Sequence, residues 1–233
     1  MNLDQTKLGR TMWPRAGAMW TAGLLACLWC VSSTSAAVID FESAPPGTPA
    51  GNGCASHGLT MTTQGFVFTA VSPGSNGLLT CDGTDPNIGS NGTHTLLDNN
   101  SAPDFDFQAT SGLAFDLISL DVGELLASIP ARNATQIGVG GFPFGGGSPL
   151  VAVFNLDGIV DGPGGSADLQ TFTLPTTFTN LAKAKVTFTL GGIQSAEFLV
   201  DNINVRTIPL PSGMMLGASA LFGVGLMRRR HRA

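Results

Sequence analysis

Glu197-Phe198-Leu199-Val200-Asp201-Asn202-Ile203-Asn204-Val205 reads as a β-strand, with apolar and polar residues alternating from Leu199 onward. Strict alternation puts Leu199, Asp201, Ile203 and Val205 on one face and Asn202 and Asn204 on the other. The first face is then the apolar one. A carboxylate among Leu, Ile and Val must be paired, hydrogen-bonded or bound to a metal, because an isolated buried charge is too costly. Asp201 is therefore the first candidate site residue. Glu42, at the end of the first predicted strand, is the natural second acid.

Working outward, the same kind of run recurs at Val38–Glu42, Gly65–Ala70, Leu113–Val122, Thr135–Gly140, Val151–Leu156, Leu169–Leu174, Ala184–Leu190 and Ala196–Val205. These runs are short, rich in β-branched residues and Phe, and bounded by Gly, Pro, Asn and Asp. No stretch between them shows a helical period. The expected fold class is all-β, an antiparallel β-sandwich with a jelly roll as its topology. The stretch from Pro73 to Asp106 is rich in Gly, Asn, Ser and Asp and reads as a long loop. Within it, Asp98, Asp104 and Asp106 read as a solvated acidic cluster.

The two ends differ from this middle. Lys7, Arg10 and Arg15 precede an apolar run, Ala16 to Val31, and then small residues from Ser32 to Ala37. A basic start, an apolar centre and small residues at −3 and −1 make a secretory signal helix. Ser35 and Ala37 occupy those positions, so cleavage is expected between Ala37 and Val38. Two alternatives stay open: an uncleaved membrane anchor, and a lipoprotein signal at Leu24-Leu25-Ala26-Cys27. Removing residues 1–37 removes all three Trp, and the chain has no Tyr, so Phe is the only aromatic of the mature domain. Cys27 and Cys30 leave too. Cys54 and Cys81 remain as a pair in an oxidising compartment, and a disulfide between them is expected. Their spacing is not that of a redox CxxC motif.

Charge also shifts. Between Val38 and Thr207 the bases are Arg132, Lys183, Lys185 and Arg206, against fifteen of the chain's 16 Asp and Glu, all but Asp4. So acidic a domain is a poor partner for a phosphate backbone, and no nucleic acid is expected as a ligand.

At the other end, Ile208-Pro209-Leu210-Pro211-Ser212-Gly213 leads into an apolar stretch, Met214 to Met227, closed by Arg228-Arg229-Arg230-His231-Arg232. From Ile208 the span is about the ~20 residues that a helix needs to cross a bilayer. Terminal arginines hold that end in the cytoplasm and leave the body outside. This order resembles the PEP-CTERM sorting signals in their Val-Pro-Leu-Pro-Ala variant, with Ile208 in place of Val and Ser212 in place of Ala. The resemblance covers residues 208–233. It implies a transient stay in the inner membrane through a C-terminal transmembrane helix, and recognition of Pro209, Leu210 and Pro211 by an exosortase, a membrane peptidase. Arg228, Arg229 and Arg230 complete the signal. The alternative is an ordinary C-terminal anchor. The resulting organisation is a signal peptide over 1–37, a β-sandwich over 38–207 and a sorting tail over 208–233.

The domain itself resembles the galactose-binding-like jelly rolls and related carbohydrate-binding modules. The resemblance rests on Phe41-Glu42 at its start and Val200-Asp201-Asn202-Ile203 at its end. It implies that Glu42 and Asp201 share a structural calcium, which takes six to eight oxygens. The other reading is Asp201 accepting hydrogen bonds from backbone amides.

Catalytic patterns are scarce. His57 and His94 are the only histidines before the tail, and neither lies in a HExxH spacing. No GxSxG nucleophile elbow occurs. Gly140 to Gly147 lacks the GK[ST] ending of a phosphate loop and reads as a hairpin connection, or as a display of Phe142 and Phe144 to a partner. The expected function is a secreted, non-catalytic envelope or extracellular-matrix protein, with exopolysaccharide as the expected ligand. Against sugar binding stands the absence of Trp and Tyr platforms. A secreted glycan-acting hydrolase or lyase and a purely structural matrix component are the alternatives. A hydrolase would need a carboxylate pair whose spacing exists only in space.

Overall fold

The computed structural model describes residues 35–71, 76–99, 104–126, 128–159, 169–188 and 197–208. All belong to the compact unit Thr34–Leu210. Both predicted terminal helices lie outside the described residues, as do Pro209, Leu210, Pro211, Arg228, Arg229 and Arg230. Among the described residues no helix is long and apolar enough to cross a membrane.

The strands are β1 (Ala36–Ile39), β2 (Thr48–Gly51), β3 (Cys54–Ser56), β4 (Thr60–Thr63), β5 (Phe66–Ala70), β6 (Leu78–Cys81) and β7 (Thr95–Asp98), followed by β8 (Asp104–Ala109), β9 (Phe115–Glu124), β10 (Gln136–Pro143), β11 (Leu150–Asn155), β12 (Gln170–Thr173), β13 (Leu181–Phe188) and β14 (Phe198–Thr207). Every pairing between them is antiparallel. The described fold is thus all-β, as the alternating runs predict.

The strands form one continuous pairing network with two wings. One wing runs β2-β3-β6-β7-β14-β9-β12, with β1 also beside β14. The other runs β4-β5-β8-β13-β10-β11. Among the described residues a single residue pair, Leu181 opposite Phe115, joins them. The wings face one another across a Phe-rich core: Phe66 meets Phe115 at 5.3 Å between ring centroids, and Phe105 meets Phe198 at 6.4 Å. β8 shows how alternation builds this. Phe105 and Phe107 point inward and are buried, while Asp104 and Asp106 point outward to Lys185 and Lys183. Each buried Phe contributes about 1.5–3 kcal/mol of transfer free energy. With Phe as its only aromatic, this core has no ring hydroxyl or indole N–H to satisfy.

The stretch 73–106 departs from its sequence reading. It holds β6, β7 and the start of β8. Asp98 is buried on β7, and Asp104 and Asp106 are ion-paired strand residues rather than a solvated loop. The face assignment of β14 also changes. Phe198, Val200, Ile203 and Val205 line the main core, whereas Leu199 packs in a second apolar cluster with Cys54, Cys81, Ile88, Leu97 and Leu125. The cause is a register shift between Asp201 and Asn204, with Asn202 at φ 45°. A bulge inserts one residue and reverses the side-chain phase beyond it. Asp201 therefore lies on the face opposite to Ile203 and Val205.

Ala37 and Val38, the predicted cleavage pair, lie in β1 opposite Val205 and Asn204. Ile39, which a start at Val38 retains, is the β1 residue that enters the core.

Candidate functional site

Asp201 sits at the bulge with no solvent exposure. Its Oδ2 accepts hydrogen bonds from Asn91 Nδ2 at 2.8 Å and from the Thr93 hydroxyl at 2.7 Å. Its Oδ1 accepts from the Asn202 backbone N–H at 2.7 Å. Across the ladder Asp201 faces Asp121. Asp121 in turn accepts from Asn202 Nδ2 at 2.9 Å and from the Thr171 hydroxyl at 2.6 Å. Burial pushes the Asp201 carboxyl above the ordinary aspartate range, and the neighbouring Asp121 charge pushes the same way. The bonds from Asn91, Thr93 and Asn202 oppose that rise without cancelling it.

The loop Asn91–His94 reaches Asp201 because it is locally preorganised. The Asn91 side chain accepts from the Thr93 backbone N–H at 3.1 Å. Ser90 Oγ accepts from Gly92 N–H at 2.9 Å. Such side-chain bonds to the backbone two residues on are the chemistry of Asx and ST turns. The loop's last residue, His94, carries the second predicted acid. Its backbone N–H donates to Glu42 Oε1 at 2.6 Å, and Nδ1 lies 2.8 Å from Oε2. Those two contacts, the backbone one first, hold the Glu42 carboxyl below the usual glutamate range.

The two predicted acids are thus gathered onto one loop, but each through its own partners. The Asp201 oxygens point at N–H and O–H donors where a calcium would need oxygen acceptors. A cation there would replace the Asn91 N–H and Thr93 O–H at Asp201 Oδ2, with the oxygens of those side chains turned toward it. Among the described residues no group of three or more His, Cys, Asp or Glu side chains forms a metal-binding cluster.

The expected disulfide is present. Cys54 and Cys81 are directly opposite on β3 and β6 and are bonded. Beside them is a cleft of about 190 Å³ lined by Cys54, Leu97, Leu125, Asp98, Arg132 and Glu197. Glu197 is buried and paired with Arg132. Burial raises its pKa, and Arg132 pulls it back only in part. Sequence reasoning passes over this pair. Its only signal is an acid directly before an apolar run and a lone base far from the other three. The cleft is smaller than the ~300–1,000 Å³ of ordinary small-molecule sites.

A larger and more open groove, about 900 Å³, runs between Pro45–Thr48 and β4. Pro46, His57, Thr60, Met61 and Thr62 line it. The His57 ring lies 2.8 Å from Thr80 Oγ1 through Nε2, and burial lowers its pKa. Phe144 is half exposed after β10, and Lys183 lies 4.8 Å from the Phe142 ring centre.

Arg132, Lys183, Lys185 and Arg206 each pair with an acid: Glu197, Asp106, Asp104 and Asp116 respectively. The four bases of the described fold are therefore engaged within it.

No family model matches this chain, and no curated protein does. Among solved structures it is similar to a DUF4465 family protein from Bacteroides caccae ATCC 43185, at 13% identity and a TM-score of 0.41, covering 75% of this chain and 100% of that one. It is also similar to a DUF4465 family protein from Bacteroides ovatus ATCC 8483, at 7% identity and a TM-score of 0.41, covering 75% of this chain and 99% of that one.

Proposed function

We propose that this chain is an exported, non-catalytic module of the bacterial envelope or extracellular matrix, a jelly-roll-type sandwich that binds exopolysaccharide along its open groove. A signal peptide cut between Ala37 and Val38 exports it. Its C-terminal helix then anchors it in the inner membrane until an exosortase-like peptidase processes the Pro209-Leu210-Pro211 motif. From there it reaches the cell surface or the medium.

The observation that carries this reading is the groove of about 900 Å³ on a disulfide-bonded sandwich. Disulfides persist in oxidising compartments. Thr60, Thr62 and His57 supply hydroxyl and imidazole groups along an open trough, which suits a polar chain better than a small apolar ligand. Calcium enters the proposal as a ligand that would draw Glu42 and Asp201 away from their present partners.

Affinity electrophoresis through the host's own exopolysaccharide, with calcium and with EDTA, tests it. Retardation that Thr60→Ala with Thr62→Ala weakens supports the groove. Retardation that EDTA abolishes places calcium in the interaction. Unretarded migration in both gels overturns the glycan-binding reading.

One observation favours the hydrolase alternative. Glu197, an acid with a raised pKa, shares its cleft with Asp98, a second buried carboxyl. Depolymerisation of the polysaccharide that Glu197→Gln abolishes would establish it.

A further inference from the structure

The outer strands of the two wings are not protected alike. β2 carries Pro49 and Gly51, which blunt an edge. β4 (TMTT) and β12 (QTFT) have four residues each and are mostly polar. β11 has six residues, Leu150-Val151-Ala152-Val153-Phe154-Asn155, with no Pro and no charge. Among the described residues it pairs with β10 alone. Val151 is 71% exposed and Val153 52%.

The hydrogen-bond parity of that edge follows from its register. Gln136 to Gly141 pair regularly with Asn155 to Leu150, and the Leu156 N–H donates to the Thr135 carbonyl. In an antiparallel pair the backbone groups of alternate residues turn toward the partner strand. Leu150, Ala152 and Phe154 therefore turn their N–H and C=O groups toward β10. Those of Val151, Val153 and Asn155 turn outward.

We infer that β11 is the seat of a symmetric dimer in which two copies of this chain pair edge to edge and join their sheets. The strand is a hydropathic palindrome about Ala152. A two-fold axis at Ala152 sets Val151 opposite the partner's Val153 and Val153 opposite the partner's Val151. These are the residues whose backbone groups turn outward, so each facing pair exchanges two N–H···O=C bonds. On the outer face the four Val side chains meet. On the inner face Leu150 meets the partner's Phe154, and Phe154 already stacks on Phe172 of β12 at 4.7 Å. Charge selects the same edge. Two copies of an acidic domain repel over most approaches, but β10 and β11 contain no Asp or Glu. Such an isologous contact closes on itself and stops at two copies.

The test is sedimentation velocity on the whole chain, purified in mild detergent. Dimers at tens of micromolar are expected. Val151→Lys combined with Val153→Lys sets like charges directly opposite across the axis and should weaken association at least tenfold. Both positions are exposed, so an unchanged far-UV circular dichroism spectrum will confirm folding. Val38→Lys, at an exposed position on β1, should leave the dimer intact. Ala152→Cys should cross-link on air oxidation, because each copy faces its equivalent at the axis; Val153→Cys alone should not. A monomeric wild-type chain, or a dimer that the double variant leaves unchanged, overturns the inference. So does a monomer carrying an unrelated peptide along β11.

Discussion

Replacing Asp201 tests the clamp between β14 and the Asn91–His94 loop. The residue has no solvent exposure and accepts three hydrogen bonds, from Asn91, Thr93 and Asn202. Bonds to a charged acceptor contribute about 1.5–3 kcal/mol each, or roughly 4.5–9 kcal/mol for three. Burying the charge costs several kcal/mol in return. Asp201→Ala removes both terms and leaves donors without an acceptor, so a net loss of about 3 kcal/mol is expected. Asp201→Asn keeps the shape and removes the charge, with one amide N–H now facing a donor. Its expected loss is about 1 kcal/mol at neutral pH.

The sign of the pH dependence follows from the raised pKa. The native state holds this proton more tightly than the unfolded chain does. The contribution of Asp201 is therefore most favourable below the ordinary aspartate value and declines as pH rises through the raised one. The gap between wild type and Asp201→Asn should then be wider near pH 4 than at pH 7.5. Urea unfolding followed by far-UV circular dichroism is the assay, since the described residues contain no Trp and the chain has no Tyr. An Ala variant within 0.5 kcal/mol of wild type, against the ~3 kcal/mol expected for lost buried bonds, would refute the clamp. An Asn variant as unstable as the Ala one at neutral pH would show that the charge itself stabilises.

Cys54 and Cys81 lie 27 residues apart, so Cys54→Ser with Cys81→Ser should cost about 3.5 kcal/mol by loop-closure entropy, read from the same urea curves. Glu42→Gln should cost under about 1 kcal/mol, because the His94 pair is partly exposed. The Glu42 contribution should be present above the ordinary glutamate value and fade as pH falls through its depressed one, so the variant's deficit should vanish in acid. Phe107→Ala opens a cavity among Phe66, Phe68 and Phe115 and should cost about 3–5 kcal/mol, seen as a lower melting temperature.

The strand content is legible in most of the strands of six residues or more. β9, β10, β11, β13 and β14 all appear in the sequence within a few residues of their observed ends. β8 alternates as strictly, Asp-Phe-Asp-Phe, yet it follows a stretch rich in Asn, Ser and Pro whose loop signal dominates. β7, Thr-Leu-Leu-Asp, is buried on both faces, and four residues without alternation carry no period to read. The site is legible in part. Burial of Asp201 and the pairing of Cys54 with Cys81 follow from residue type and context. The partners of Asp201 do not, because they arrive from a loop more than a hundred residues earlier in the chain. Its face is misread because a bulge at Asn202 breaks the period of two; the only trace is an Asn, a residue that tolerates positive φ.

Export and sorting are the central claim, and intact mass spectrometry of the protein recovered from its host's envelope and medium tests them most directly. The account predicts a chain that begins at Val38, ends near Pro211 and lacks two hydrogens at Cys54 and Cys81. A chain that still carries residues 1–37 and Arg232, recovered from the cytoplasm with both thiols free, would contradict it.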